Sequence, residues 1–327
     1  MRLAQATAFA PASSANLGPG FDLLGHSLEG WRDHATVYRI DAPEVRIEAI
    51  EGVVTELPAR AADNTAGAAL MSMRKALNLP FGFAVHLQKG IPLGSGLGGS
   101  AASAVAAVVA ANALLEAPLP HLALYPFALD GEAVASGSRH GDNIAPSLLG
   151  GLIAAFNTEI AEPVRLTAPE WLYTAVVHPA MVLETKVARA ALFAPYALGD
   201  FVRQSHHLAA LLIGLARSDE GLIRQGLGDV LVEPRRASLI PAFAEVKQAA
   251  LDAGALGASI SGAGPSIFGW FVGRAAAEAG GAEMKKAFAK AGLAASVLIS
   301  PVAGPAAAII ATENTTGAAA FSTQAKD

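Results

Sequence analysis

Cysteine is absent from this chain of 327 residues. That excludes a disulfide framework and any Cys-ligated zinc site. Charge is sparse as well, at 16% of residues, with a net −5 and no Lys/Arg run. Nucleic-acid phosphates demand a basic face, so no nucleic-acid partner is expected. Long apolar runs are missing. The longest, Ala101–Leu115, is interrupted by Ser103 and Asn112 and falls short of the ~20 residues that span a bilayer. The opening "MRLAQATAFAPASSANLG" has one Arg and no clean apolar core, unlike a secretory signal. No internal repeat stands out. These absences together lead to the expectation of a cytoplasmic protein with no membrane partner.

Hydrophobic residues, by contrast, make up 53%, enough for a substantial core and against disorder. The length suits two domains or one large one. The pattern along the chain mixes helices and strands without strict βαβ alternation, which predicts an α+β fold with two lobes. "ATAFA" and "DHATVYRI" read as strands flanking a Gly/Pro loop, "PASSANLGPGFD". "VRIEAI" and "FGFAVHLQ" are further strands, and "NTAGAALMSMRKAL" is a helix capped by Asn64 or Thr65. Ser100 to Leu115 reads as a helix stopped by "APLP", and "PFALDGEAVAS" as one ending near Gly137. "SRHGDNIAPSLLGG" reads as a loop before a strand, "LIAAF". Near residue 165 the pattern restarts. "YTAVVHP" and "ASVLIS" are strands, "ASISGAGPSIFGWFV" is a hairpin, and four helical stretches lie between and after them. The expected units are 1–165, 166–311 and a frayed tail, 312–327.

The stretch "IPLGSGLGGSAAS" (91–103) concentrates glycine directly before an Ala/Val helix. Glycine lets backbone N–H groups converge on an anion and permits positive φ. The helix start adds free N–H groups and the positive end of a dipole. The combination points to a phosphate-binding turn. A Walker A loop needs Gly-Lys-Ser/Thr, and no lysine stands here. A dinucleotide fingerprint leaves its strand straight into the first glycine, whereas "KGIP" intervenes and Glu116 ends a helix rather than a second strand.

"PLGSGLGGSAAS" (92–103) resembles the phosphate loop of the GHMP kinases. "APASSANLGPGFDLLG" (10–25) is similar to the N-terminal signature of the homoserine kinase branch, and "ISGAGPSIFGW" (260–270) to the superfamily's C-terminal Gly-rich motif. "SGSRHGDNIAPSLLGG", "TKVARA" and "VEPRR" match that branch too, so the resemblance spans roughly residues 5–305. There are two departures. The usual Ser-Ser pair is Gly99-Ser100, and the Tyr of the usual Glu-Pro-Tyr-Arg is Arg235. Which of Arg235 and Arg236 faces inward stays open.

The resemblance implies a lobe like ribosomal protein S5 domain 2, then a ferredoxin-like lobe, with ATP, Mg²⁺ and L-homoserine in the cleft between them and a homodimer as the assembly. It assigns ATP to Asn64, Pro92, Leu93, Gly94, Ser95, Gly96, Leu97, Gly98, Gly99, Ser100, Ala101, Ala102, Thr185, Gly262 and Gly264. Magnesium falls to Ser100 and Glu132. The acceptor's carboxylate falls to Arg189 and Arg236, its ammonium to Asn16 and Asp22. His140 and Asn143 face the hydroxyl. Asn143 stands where mevalonate- and galactose-type relatives carry a catalytic Asp, and Pro-Ala-Ser-Ser replaces their Pro-Gly-Lys. Asparagine cannot take a proton. The expectation is therefore that Asn143 and His140 orient the hydroxyl while its proton goes to the γ-phosphate or a water. Asp142 is the alternative base. Another small-molecule GHMP kinase, or an inactive nucleotide-binding homologue, are the other readings.

Overall fold

The protein is described by a computed structural model covering residues 3–156 and 161–314. The first sheet is built from β1 (Leu3–Ala15), β2 (Leu24–Ile40), β3 (Val45–Gly52) and, after α1 (Thr65–Ala76), β4 (Gly82–Lys89). Asn64 caps α1: its side chain accepts from the N–H of Ala66 and Gly67, as an N-cap should. α2 (Gly99–Ala113) follows the glycine turn and has no polar face; all but three of its residues are buried. A helix apolar all round belongs in a core. It lies against β1 and β2 on one side and α1, α3 (Tyr125–Ser136) and α4 (Ile144–Leu149) on the other. β5 (Leu152–Ala154) and β6 (Val164–Leu166) extend this sheet.

The second half opens with β7 (Leu172–Pro179), then runs through α5 (Thr185–Ala190), α6 (Leu198–Arg217), α7 (Glu220–Gly226), α8 (Glu233–Arg236) and α9 (Phe243–Asp252). The hairpin β8 (Gly257–Ile260) and β9 (Ile267–Val272), helix α10 (Arg274–Lys290) and β10 (Ala295–Pro301) close a four-stranded antiparallel sheet of order β10-β7-β9-β8. Helices α9 and α10 cover one face. This is the ferredoxin-like arrangement. Leu172, Val176, Phe268 and Trp270 on the other face join the core of the first lobe, so the two lobes share apolar packing. No helix among the described residues is long and apolar enough to cross a membrane.

Three expectations need correction. The strand through "ATAFA" does not end before Pro11; it bulges there and continues to Ala15, pairing Ser13 with Ser27 and Ala15 with Gly25. Every residue from Ala10 to Leu17 is buried, so the alternation that marks a half-buried strand is lost. The loop "SRHGDNIAPSLLGG" contains α4, whose Pro146 lies in its first turn, where a missing N–H costs nothing. The final strand, β11 (Ala308–Asn314), returns to pair antiparallel with β1. It belongs to the first sheet and runs three residues past the expected start of the tail; 315–327 lie outside the described residues. The expected lobe boundary at 165 falls inside β6.

Candidate active site

A cavity of about 610 Å³ lies between the lobes. The turn between β4 and α2 forms its floor. Gly94, Gly96 and Gly98 all have positive φ, at 59°, 73° and 67°. Four consecutive carbonyls of the turn are held from outside. The Gly94 carbonyl accepts from Leu183 N–H, that of Ser95 from the Ser266 hydroxyl, that of Gly96 from the Ser261 hydroxyl, and that of Leu97 from Ser13 N–H. A trans peptide points its N–H opposite to its C=O. The N–H groups of Ser95, Gly96, Leu97 and Gly98 thereby point away from those partners, and all four residues line the cavity. The free N–H groups that begin α2 add to them, up to Ala101; that of Ala102 is already spent on Gly98 O. The side chains of Ala101 and Ala102 are wholly buried away from the cavity. A Cβ on Gly96 would sit 2.4 Å from Ser261 O and 2.6 Å from Gly264 O, so Gly264 backs the turn rather than lining the cavity. At Gly99 a Cβ would come within 3.3 Å of Ile91 Cγ2, tight against the chain beneath.

Behind the turn lies a polar cluster that escapes sequence reading. Lys89, 5% exposed, pairs with the wholly buried Asp33 and donates to Gly99 O and the Ser103 hydroxyl at 2.8 and 2.7 Å. Asp33 also accepts from the N–H of Gly90 and Ile91. Little in the sequence hints at it: Asp33 is one of four charged residues in β2, and Lys89 ends β4.

On the cavity wall, Ser100 hydrogen-bonds to Glu132. Glu132 opens partly onto the cavity, yet the surrounding protein pushes its carboxyl up to about 7. Asp142, 5% exposed, is likewise pushed up to about 7, by burial first and Asp22 second. Hydroxyl and carboxylate oxygens are the donor set that Mg²⁺ takes, alongside waters and phosphates, so Ser100 and Glu132 fit that ion. Asn64 and Thr185 also line the cavity, as do Pro92 and Leu93. The Asn64 amide is engaged as the α1 cap and donates to Pro58 O. Val54 and Leu57 wall the same end with apolar surface, and nothing in their sequence surroundings marks them.

At the far end stand two guanidinium groups. Arg236, 2% exposed, donates through Nε to Ala188 O and through Nη1 to Gly262 O. It is therefore the inward arginine, and Arg235 points away. Arg189 makes two bonds to Asp22, at 3.2 and 3.0 Å. Both guanidinium groups lie near Phe21, at 5.5 and 5.2 Å from its ring centre. Burial, then the Arg189 charge, lowers the pKa of Arg236. Asp22 and, more distantly, Asp229 oppose that shift, and the guanidinium pair beside the cavity suits a further anion. Asn16 and Asp22 adopt positive φ, which Asn and Asp tolerate best. The Asn16 amide is spent on the scaffold: it donates to Gly262 O and accepts from Asp22 N–H.

His140 lies between the two ends. Its Nδ1 is 3.5 Å from Asp22, its Nε2 bonds to the Ser138 hydroxyl, and burial lowers its pKa. Asn143 Oδ1 accepts from Ser13, and a Cβ on Gly98 would meet that oxygen at 2.8 Å. Asn143 thus abuts the phosphate turn, and an acceptor group beside it would lie next to a phosphate held there.

Comparison with known proteins bears on the same features. The profile for the GHMP kinases N terminal domain matches residues 64–151, and that for GHMP kinases C terminal matches 211–290. The homoserine kinase of Xanthomonas campestris pv. campestris (strain B100) is 57% identical over 309 residues, 94% of this chain and 95% of that protein. That of Xylella fastidiosa (strain M12) is 54% identical over 306 residues, 94% of each. Among solved structures, homoserine kinase from Cytophaga hutchinsonii ATCC 33406 superposes with a TM-score of 0.90 at 40% identity, covering 94% of this chain and 97% of that one. Mevalonate kinase from L. major, solved with R-mevalonate, shares the fold alone, with a TM-score of 0.68 at 15% identity over 91% of this chain and 96% of that one. Likeness at this level over nearly the whole length, on a chain carrying both the glycine turn and the pair of Arg189 and Arg236, places the protein in the homoserine kinase family of the GHMP kinases.

Proposed function

We propose that the chain transfers the γ-phosphoryl group of ATP to the side-chain hydroxyl of L-homoserine, giving O-phospho-L-homoserine and ADP, a step of threonine biosynthesis. The observation that carries this is the buried Arg236 beside Arg189 and Asp22, in the same cavity as the phosphate turn. An α-amino acid brings one carboxylate and one ammonium. Its carboxylate takes the arginines, whose planar forks suit it. Its ammonium takes Asp22. One internal ion pair is thereby exchanged for two external ones.

Phosphoryl transfer needs positioning and charge neutralisation more than covalent chemistry. The N–H groups of Ser95 to Gly98 hold phosphate oxygens, and the apolar wall of Val54 and Leu57 suits the flat adenine. Mg²⁺, held by Ser100 and Glu132, supplies neutralisation of phosphate charge when bound. Asn143 and His140 orient the acceptor hydroxyl, whose proton passes to the phosphoryl oxygens or a water. A second reading has a specific support: Asp142 lines the cavity with a carboxyl near 7, the range for a general base at neutral pH. Asn143→Ala and Asp142→Ala separate the two. Full activity in the first with none in the second, both folded, assigns the proton to Asp142.

A homodimer in the cytoplasm completes the reading, supported by the family resemblance and the lack of cysteine; sedimentation of the purified chain reads the assembly. The deciding assay follows ADP release from Mg-ATP with L-homoserine, mevalonate, galactose, serine and threonine in parallel. Release strongest with homoserine is expected. Release only with mevalonate or a sugar leaves the fold and overturns the acceptor. ATP binding with no turnover of any acceptor favours an inactive homologue.

A further inference from the structure

We infer that Arg235 is a positioning residue of the acceptor site: its guanidinium fork ties down residues 192–196, the exposed strap that follows the helix carrying Arg189. The inference rests on the reading of Arg189 and Arg236 as ligands of the acceptor carboxylate.

The strap has little else to hold it. Helix α5 is six residues long and buries only Ala188. Every residue from 193 to 199 is exposed, Phe193 at 86% and Leu198 at 79%. A segment with no buried side chain keeps its place through polar contacts or drifts. Arg235 supplies those contacts. Its Nη1 donates to Leu192 O at 3.2 Å and Ala194 O at 2.8 Å, and its Nη2 to Pro195 O at 2.6 Å. The guanidinium carbon stacks 3.6 Å from the centre of the Tyr196 ring. Tyr196 in turn donates to Leu192 O at 3.3 Å and closes the turn on itself.

One residue on, Arg236 Nε donates to Ala188 O, in the last turn of α5. Two consecutive arginines on α8 thus hold carbonyls at 188, 192, 194 and 195. Neighbours on a helix diverge by about 100°, so one guanidinium enters the site while the other spans the strap. Arg189, whose guanidinium lies on Asp22, sits in the chain between these held carbonyls. A lysine offers a single point charge where a planar fork meets three carbonyls. The tyrosine that the family pattern carries at this place can stack on Tyr196 and offers one O–H donor, where the guanidinium fork meets three carbonyls. The departure at 235 therefore gives this chain a three-carbonyl clamp that a single O–H cannot match.

The test compares wild type, Arg235→Ala and Arg235→Lys as full-length enzymes. Steady-state kinetics are read against ATP and L-homoserine. Chymotrypsin cleavage is read at Phe193, Tyr196 and Leu198, in and beside the strap. Arg235→Ala is expected to raise the homoserine KM about three- to tenfold, the loss of a few hydrogen bonds. The ATP KM and kcat are expected to stay within about twofold, and strap cleavage to speed up several-fold. Arg235→Lys is expected to recover less than half of either effect. Faster cleavage with an unchanged homoserine KM overturns the link to the site. Equal losses in both KM values together with a lowered Tm overturn it too, since a merely structural role does that. A wild type that phosphorylates no homoserine sinks the acceptor reading and this inference with it. Unchanged cleavage in Arg235→Ala, with a wild type that does phosphorylate homoserine, sinks the inference alone.

Discussion

Arg236 and Arg189 flank Phe21; Asp22 binds Arg189 directly, and Asp22 and the buried Asp229 both act on Arg236 from a distance, an arrangement that bears on what the acceptor must carry. An acceptor without the α-carboxylate leaves the nearly inaccessible Arg236 with no directly bound anion, only the more distant Asp22 and Asp229. One without the ammonium leaves Asp22 short once Arg189 turns to the substrate. An amino alcohol lacking the carboxylate is expected to lose at least about 100-fold in kcat/KM relative to L-homoserine, measured by ADP release. Comparable rates would remove the arginine pair from the acceptor site. Asp142 makes a prediction about stability. Its carboxyl sits near 7 in the fold and near 4 in an unfolded chain. Between those values the folded chain holds the extra proton, so stability falls as pH rises through the window. The full cost applies above 7 and vanishes below 4. Asp142→Asn is therefore expected to raise the Tm of the nucleotide-free protein at pH 8 and leave it unchanged at pH 4. An equal shift at both pH values would mean that packing, not charge, is the cause.

At the scale of the element, the glycine turn is held by its carbonyls, and under the proposed function its N–H groups are what ATP uses. A methyl at Gly96 would strike two carbonyls of the second lobe while the backbone stands at φ +73°. Gly96→Ala is expected to raise the ATP KM at least about tenfold and to lower the Tm. Gly137 also has positive φ, at 79°, but its Cβ would meet nothing within 4 Å. Gly137→Ala is expected to cost about 1 kcal/mol and leave the ATP KM alone. Similar effects on ATP from both would reduce the turn to a backbone-conformation requirement. The turn was legible in the sequence because glycine and proline punctuate it and a helix follows. Its four restraints were not, because Ser13, Leu183, Ser261 and Ser266 lie in three other stretches and hydroxyls or N–H groups carry no sequence mark of a distant partner. β1 beyond Ala10 was illegible for a related reason. Burial on both faces erased its alternation, and a run of serines looked like a loop. The ion pair of Lys89 and Asp33 was illegible because each charge, read alone, suits an exposed strand position.

At the scale of the whole molecule, the pattern restart near residue 165 foretold two lobes correctly but hid their dependence on each other. β11 comes from the end of the chain and pairs with β1, the strand that begins it. Trp270 and Phe268 of the second sheet sit in the core of the first lobe. Strand pairing across more than 290 positions leaves no periodic signal; it follows from topology alone. The dependence has a consequence for fragments. A chain of residues 1–165 lacks β11, exposing one edge of β1, and leaves the apolar face that meets Trp270 in water. It also lacks Ser261, Ser266 and Leu183, so the carbonyls of the phosphate turn lose three of their four restraints. Expressed alone, 1–165 is expected to show no cooperative thermal transition and no ATP binding by titration. Co-expressed with 166–327, it is expected to co-purify and recover both. A fragment that melts cooperatively yet binds no ATP would confine the dependence to the phosphate turn. One that binds ATP unaided would mean that the turn holds its shape without the second lobe, and the Gly96→Ala effect would then have to come from φ alone.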